Sequence, residues 1–304
     1  MAASPLGLSI CVCLAILPLV SAYLRRPRRS VTVPSSEERI VILGASTGIG
    51  RTLAQEYALS GVKAICVCQM MCTPNTDIVG VTGDFAEVDD MVKLRARLES
   101  LWGGIDTLVV AAGVSTLRPL MAVAGVDVKK GEKMPDATKQ GIEKAVYVTS
   151  MATRGNYVGP LVSAITFIPL LTNSSKAPAI LLISSLASVI PAPTRSLYAS
   201  TKSAALLLYQ ALAIEHPEIA FSLVLPSTVE GDFRASAVDG GNAREADPNK
   251  HGLKREAVAR RCMEAIERRE KNVFIPWGMG PAHMLYWLWP AFLEWRARVK
   301  YNFS

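Results

Sequence analysis

Tyr198 and Lys202 stand four residues apart in a stretch, Ile180 to Leu206, that reads ILLISSLASVIPAPTRSLYASTKSAAL. On a helix, positions i and i+4 share one face, so a phenol and an ammonium at this spacing point into the same space. A cation beside a phenol favours phenolate, which suits the pair to passing a proton near neutral pH. The stretch opens with an apolar run, Ile180-Leu181-Leu182-Ile183, the length of a buried strand. It then breaks at Ser184 and Ser185. Taken alone, a tyrosine and a lysine so spaced occur by chance on many solvated helices.

A proton carrier of this kind gains a purpose from what lies upstream. Arg39 to Leu43 reads as a buried parallel strand, Gly44-Ala45-Ser46-Thr47-Gly48-Ile49-Gly50 follows at once, and a helical pattern runs to about Leu59. Strand, glycine-rich turn and helix form the context in which backbone amides and a helix dipole receive a dinucleotide pyrophosphate. Arg51, next along, is either a phosphate contact or a solvated helix-surface arginine. A second strand spans Val62 to Cys68 and a third Asp77 to Val81, with only Gln69 to Thr76 between them. No carboxylate ends the second strand, where one would bind the ribose 2′-hydroxyl of NAD, and no arginine stands there for a 2′-phosphate. The reading leans to NADP without excluding NAD. Asp84 is placed to meet an adenine ring or to cap the helix from Val88 to Leu101.

Asp106 to Gly113 reads as a fourth strand ending in small residues that would let a cofactor lie across it. Residues 126–140 form a polar, lysine-rich insertion, and a long helical segment then carries Asn156 and Gly159 to near Thr172. The opening stretch supplies the fifth strand and a helix to about His216. Ala220 to Leu225 is a sixth strand. The charged passage from Ala235 to Gly252 reads as a flexible lid or as a plain solvated loop. A helix from Lys254 to Arg269 and a last strand, Asn272 to Ile275, complete the alternation.

In order, and over nearly all of residues 39–276, these pieces resemble the short-chain dehydrogenase/reductase family. Gly44-x-x-x-Gly48-x-Gly50 is similar to its cofactor loop, Asp84 to its adenine-side aspartate, and Ala111-Ala112-Gly113 to its strand-four motif. Asn156, Ser185, Tyr198 and Lys202 resemble its catalytic tetrad, the interval to the tyrosine selecting Ser185 over Ser184. The resemblance implies a single α/β domain, a three-layer Rossmann-type doubly wound parallel sheet. It also implies cofactor contacts from Gly44, Ser46, Thr47, Gly48, Ile49, Gly50, Asp84, Ala112, Gly113, Tyr198, Lys202 and Thr228. By the same resemblance Tyr198 is the general acid or base, and Lys202 assists it and holds the nicotinamide ribose. Ser185 would bind the substrate oxygen, Asn156 would position a water, and the subunits would pair as homodimers. Three positions depart from the family pattern: Ala111 replaces an asparagine, Ser227 a glycine, and Gly231 a threonine that holds the carboxamide.

The chain has 304 residues, half of them hydrophobic, enough for one sizeable domain. Its net charge is +7, but the basic residues form no aromatic-interleaved patch of the kind that binds nucleic acid. Residues 2–24 are uncharged, and Arg25, Arg26, Arg28 and Arg29 follow them. Leu6 to Leu24 is nearly long enough to span a bilayer, and the arginines would leave the domain on the cytosolic face of the endoplasmic reticulum or a similar membrane. A cleaved signal peptide is the competing reading, although no lysine or arginine precedes the apolar run. Residues 25–38 then form a polar linker. The tail, 277–304, is aromatic and apolar before a basic end, and suits a membrane interface or a packed helix. Six cysteines and three histidines show no metal-binding or disulfide spacing, which fits reduced thiols and no metal. Together these features lead us to expect a membrane-associated, NADP-preferring oxidoreductase for a carbonyl or secondary alcohol of a lipophilic small molecule. The alternative is a catalytically weak dinucleotide-binding scaffold or redox sensor. A methyltransferase would leave Tyr198 and Lys202 unexplained.

Overall fold

Short aliphatic and β-branched runs form seven strands: β1 (Arg39–Leu43), β2 (Ala64–Cys68), β3 (Ile78–Val81), β4 (Thr107–Val110), β5 (Ala179–Ile183), β6 (Ala220–Pro226) and β7 (Asn272–Ile275). The computed structural model describes residues 28–62, 64–68, 78–127, 132–235, 237–241 and 247–301. The N-terminal hydrophobic segment, with Cys11 and Cys13, and the connection holding Cys72 lie outside these. All neighbouring strands pair in parallel, in the spatial order β3-β2-β1-β4-β5-β6-β7.

Alternate residues of each strand enter different cores, as a two-residue period requires. Ile40, Ile42, Val109, Leu181 and Val224 pack under α1 (Gly48–Leu59) and the late helix Arg255–Glu267. Val41, Leu43, Leu108, Val110, Ile180, Leu182 and Leu223 pack on the opposite face, against α2 (Val88–Trp102) and two later helices. The result is the three-layer, doubly wound fold that the alternation predicts. The chain leaves β1 towards β3, then returns across it to β4, so the winding reverses between β1 and β4. In such sheets ligands bind at the carboxyl ends of the strands beside that reversal.

Beyond β4, after the short α3 (Leu120–Val123), a 36-residue helical stretch runs from Lys139 to Ser174. It comprises α4 (Lys139–Thr153), a π-helical turn (Arg154–Val158) and α5 (Gly159–Ser174). Among the described residues it is the one helix long and apolar enough to cross a membrane, yet its Phe167 and Leu171 are fully buried against the sheet. Next come α6 (Ser196–Glu215), the short α7 (Pro248–His251) and α8 (Arg255–Glu267), then α9 (Met279–Leu288) and α10 (Pro290–Lys300) in the tail. Cys262 on α8 is a free thiol, and burial pushes it up to about 12.

Arg29, expected beside a membrane, and part of the passage after β6 have partners within the domain. Arg29 is 2% exposed beneath the sheet, where it pairs with Glu38 and donates to the carbonyls of Ala177 (2.7 Å) and Asp106 (2.9 Å). The linker is therefore structural from that residue onward. In the passage after β6, the Asp239 carboxylate accepts from the amides of Leu117 and Arg118, both at 2.7 Å. Val238 N donates to Ser115 O at 3.0 Å, adding a backbone tie at the same place.

Candidate active site

The register of the central strands brings four strand ends into line. Leu43 of β1 sits beside Val110 of β4, Val110 beside Leu182 of β5, and Ile183 beside Val224 of β6. Whatever follows each of these residues therefore emerges on one edge of the sheet.

From β1 emerges the glycine loop. Gly44 has φ +91°, and a Cβ there would lie 2.5 Å from the Ala112 nitrogen, so only glycine lets this turn press against the end of β4. Gly50 is shielded in the same way by the Gly44 carbonyl and by Ala111. Gly48 differs: it has φ +57°, and nothing lies within 4 Å of the place where its Cβ would be. It opens α1, whose N-cap, Thr47, makes no side-chain capping bond, so the first-turn amides stay available at the positive end of the helix dipole. An open cradle lined by amides fits a dinucleotide pyrophosphate. Ser46 and Ile49 lie within the same turn.

From β4 emerges Ala111-Ala112-Gly113. A Cβ on Gly113 would stand 2.8 Å from Asn156 Oδ1 and 3.0 Å from Lys202 Nζ, so the two side chains converge on this glycine. Asn156 sits in the π-helical turn and is fully buried. Its Oδ1 accepts from Val114 N (2.9 Å), and its Nδ2 donates to Val114 O (3.0 Å) and Thr201 Oγ1 (3.1 Å). The whole amide is spent on holding the segment after β4 against α6.

From β5 emerge the serines. Ser184 is buried and donates to Ser188 Oγ at 3.1 Å. Ser185 is half-buried, and its Oγ accepts from Ala187 N at 3.2 Å as it caps a 3-10 turn. Strand alternation turns them in opposite directions, and Ser185 is the more accessible of the two. The Lys202 ammonium donates to Ile183 O at 3.0 Å, and burial lowers its pKa to about 8. One helical turn earlier is Tyr198, 6% exposed, with the Arg195 guanidinium 4.5 Å from its ring centroid and Phe233 edge-on at 6.1 Å. Its amide donates to Thr116 Oγ1 at 3.0 Å. A phenol, an ammonium and a hydroxyl at the rim of an amide-lined cradle can together exchange a proton with an oxygen-bearing carbon compound.

This is the arrangement of a known family. A family model described as short chain dehydrogenase matches residues 38–241. The chain belongs to that family. It is an oxidoreductase that works with a nicotinamide cofactor. Among its relatives, 11-beta-hydroxysteroid dehydrogenase A of Sesamum indicum is 26% identical over 287 residues, covering 86% of this chain and 75% of that one. Two solved structures share the fold at lower identity. A short chain dehydrogenase from Burkholderia cenocepacia in complex with NADP is 16% identical, with a TM-score of 0.66 over 86% of this chain and 98% of that one. A short chain dehydrogenase/reductase from Burkholderia phymatum in complex with NAD is 17% identical, with a TM-score of 0.67 over 83% and 93%.

At the nucleotide side the family pattern is followed less closely. Asp84 does not cap α2, whose N-cap is Glu87. Its Oδ1 accepts from Ala86 N at 2.9 Å and its Oδ2 from Arg154 at 2.9 Å. Burial pushes this carboxyl up, but the Ala86 amide and the Arg154 guanidinium together hold it below the usual carboxylate range. Gly231 has φ +113°, a conformation that would strain a threonine, so this departure is fixed by the backbone. Thr228 nearby accepts from Arg234 at 3.1 Å. Sequence reasoning missed Thr116, Arg195, Phe233 and Asp239; only Arg195, three residues before Tyr198, carried a local signal. An apolar groove of about 670 Å³ between α3 and α4, lined by Leu120, Met121, Ile142 and Val146, lies outside the constellation of Ser185, Tyr198 and Lys202.

Proposed function

We propose that this dehydrogenase interconverts a carbonyl and a secondary alcohol on an apolar small molecule, with NADP(H) preferred over NAD(H). The observation that carries the chemistry is the buried Lys202 ammonium, held at Ile183 O and converging with Asn156 on Gly113, one turn beyond Tyr198. Tyr198 gives its hydroxyl proton to the carbonyl oxygen in reduction and takes it back in oxidation. Lys202 favours the phenolate that results and would hold the ribose of the cofactor. Ser185 donates to the substrate oxygen as negative charge grows there. Asn156 keeps Gly113 and Val114 against Lys202, in the place where these residues would hold the nicotinamide.

The loop from Gly44 to Gly50 would hold the pyrophosphate, with Ala112, Gly113 and Thr228 towards the nicotinamide and Asp84 towards the adenine. When bound, the nicotinamide supplies or takes up the hydride. Exposed Arg51 beside the loop and the lack of a carboxylate ending β2 favour the 2′-phosphate form. Phe233 against Tyr198 favours an apolar substrate. The N-terminal apolar segment would anchor the chain with its domain on the cytosolic side of a membrane such as the endoplasmic reticulum. Exposed Ile142, Val146 and Tyr147 on α4 suit pairing of two subunits.

The test is cofactor absorbance with the full-length protein, NADPH or NADH, and a panel of ketones and alcohols. Tyr198→Phe should lose activity by about 10²–10⁴-fold, the worth of general acid–base catalysis, and still bind cofactor. Tight cofactor binding without turnover on any compound would sink the enzymatic reading in favour of a scaffold. For topology, a glycosylation tag at the C-terminus should stay unmodified; its modification would place the domain in the lumen.

A further inference from the structure

The tail is the part of the domain that its own fold does not cover. No residue of α9 or α10 is buried. Trp287 is 76% and Leu288 83% exposed, although a tryptophan ordinarily hides much of its large apolar surface. Met284, Trp287 and Leu288 on α9, and Phe292, Trp295 and Val299 on α10, recur at the spacing that puts apolar side chains on one face of a helix. The two helices meet at Trp289, just before Pro290. Trp289 stacks on Phe292 with centroids 5.0 Å apart, and Phe292 meets Trp295 at 6.1 Å.

Charge decides what such a surface can meet. Residues 277–304 carry Arg296, Arg298 and Lys300 against a single carboxylate, Glu294. A second copy docking by a two-fold axis would bring this basic patch against itself, which is unfavourable. Tryptophan at the level of lipid headgroups, with basic residues beside an apolar stripe, is the composition of a helix lying in a bilayer interface.

We propose that α9 and α10 form a docking platform for an anionic phospholipid surface, with Trp287, Trp289 and Trp295 at headgroup level and Arg296 and Arg298 on the lipid charges. The platform adjoins the candidate active site: His283 of α9 stacks on Phe274 of β7, and its Nδ1 lies 3.1 Å from the carbonyl of Val189, four residues beyond Ser185. Docking therefore presses the side of the domain that carries the Ser185 loop towards the lipid. The inference stands apart from the assignment of activity, because its readout is light emission and not turnover.

Four of the five tryptophans, 277, 287, 289 and 295, lie in this region, and residues 1–24 contain none. Full-length protein is reconstituted into vesicles of phosphatidylcholine and phosphatidylserine, with or without bromine on the acyl chains. The expected result is loss of most tryptophan emission in brominated vesicles, and recovery of it in the variant Arg296→Glu/Arg298→Glu. Quenching that survives charge reversal would overturn the anionic-lipid assignment. Equal emission in both kinds of vesicle would overturn the platform altogether. So would blue-shifted emission in detergent that reddens on dilution, because it would show a second copy or another protein covering the stripe.

Discussion

The two ends of the dinucleotide edge are built on different terms. Around β4, β5 and α6 three polar groups are buried and tied: Asn156 to Val114 and Thr201, Lys202 to Ile183, the Tyr198 amide to Thr116. Around β3 and α2, Asp84 is about half exposed and leans on Arg154, itself 42% exposed. Interactions in low dielectric are strong and unforgiving, whereas exposed charge pairs contribute little to stability. The end proposed to react is therefore fixed by the core, and the end proposed to hold the adenosine can change its charges without disturbing the fold.

Substitutions at the two ends put that contrast at risk. Gly113→Ala places a methyl group against Asn156 Oδ1 and Lys202 Nζ. Activity should fall on the order of 10²-fold, as displacement of reacting groups by about an ångström commonly does. In the cofactor-free protein Gly48→Ala meets no atom and should cost only the left-handed backbone strain of roughly 1–2 kcal/mol, read from urea midpoints. If both variants behave alike, the contrast fails.

Lys202→Met should stabilise the cofactor-free protein. The folded state releases this proton near pH 8, whereas the unfolded chain keeps it to about 10.5. Between those values the unfolded state binds more protons, so wild-type stability rises with pH across the window, and below it the penalty is fully present. The methionine variant should lead at pH 7 by up to about 3 kcal/mol, at about 1.4 kcal/mol per unit. The lead should shrink towards pH 10 in urea titrations.

Asp239→Ala orphans the amides of Leu117 and Arg118 and should cost about 1–3 kcal/mol. Because the same segment holds Tyr198 through Thr116, kcat should fall while cofactor affinity, measured by fluorescence titration, stays unchanged. Asp84→Asn should have the smallest effect: an unaltered melting temperature and at most a change in KM for the nucleotide.

Much of this was legible in the chain. Continuous aliphatic runs such as Ile180–Ile183 mark strands buried on both faces, and the glycine loop announces itself by its place between β1 and α1. Tyr198 and Lys202 are local to one helix, so spacing alone places them. Contacts across long separations were not legible. Asp239 reaches Leu117 across 122 positions, and one carboxylate in a polar passage gives no sign of its partner. The π-helical turn that aims Asn156 depends on Gly155 fitting against Val114 and Gly159 against Phe85, which only packing reveals. Arg29 looked like its three neighbours because burial leaves no mark on an arginine cluster.

That arginine also decides how the domain answers to force. Its partners stand just ahead of three central strands: Glu38 before β1, Asp106 before β4 and Ala177 before β5. Ser30, next to it, donates through its amide to Glu267 at the end of α8 at 3.0 Å. Tension arriving along the chain at Arg28 is thus shared among the middle of the sheet and one covering helix.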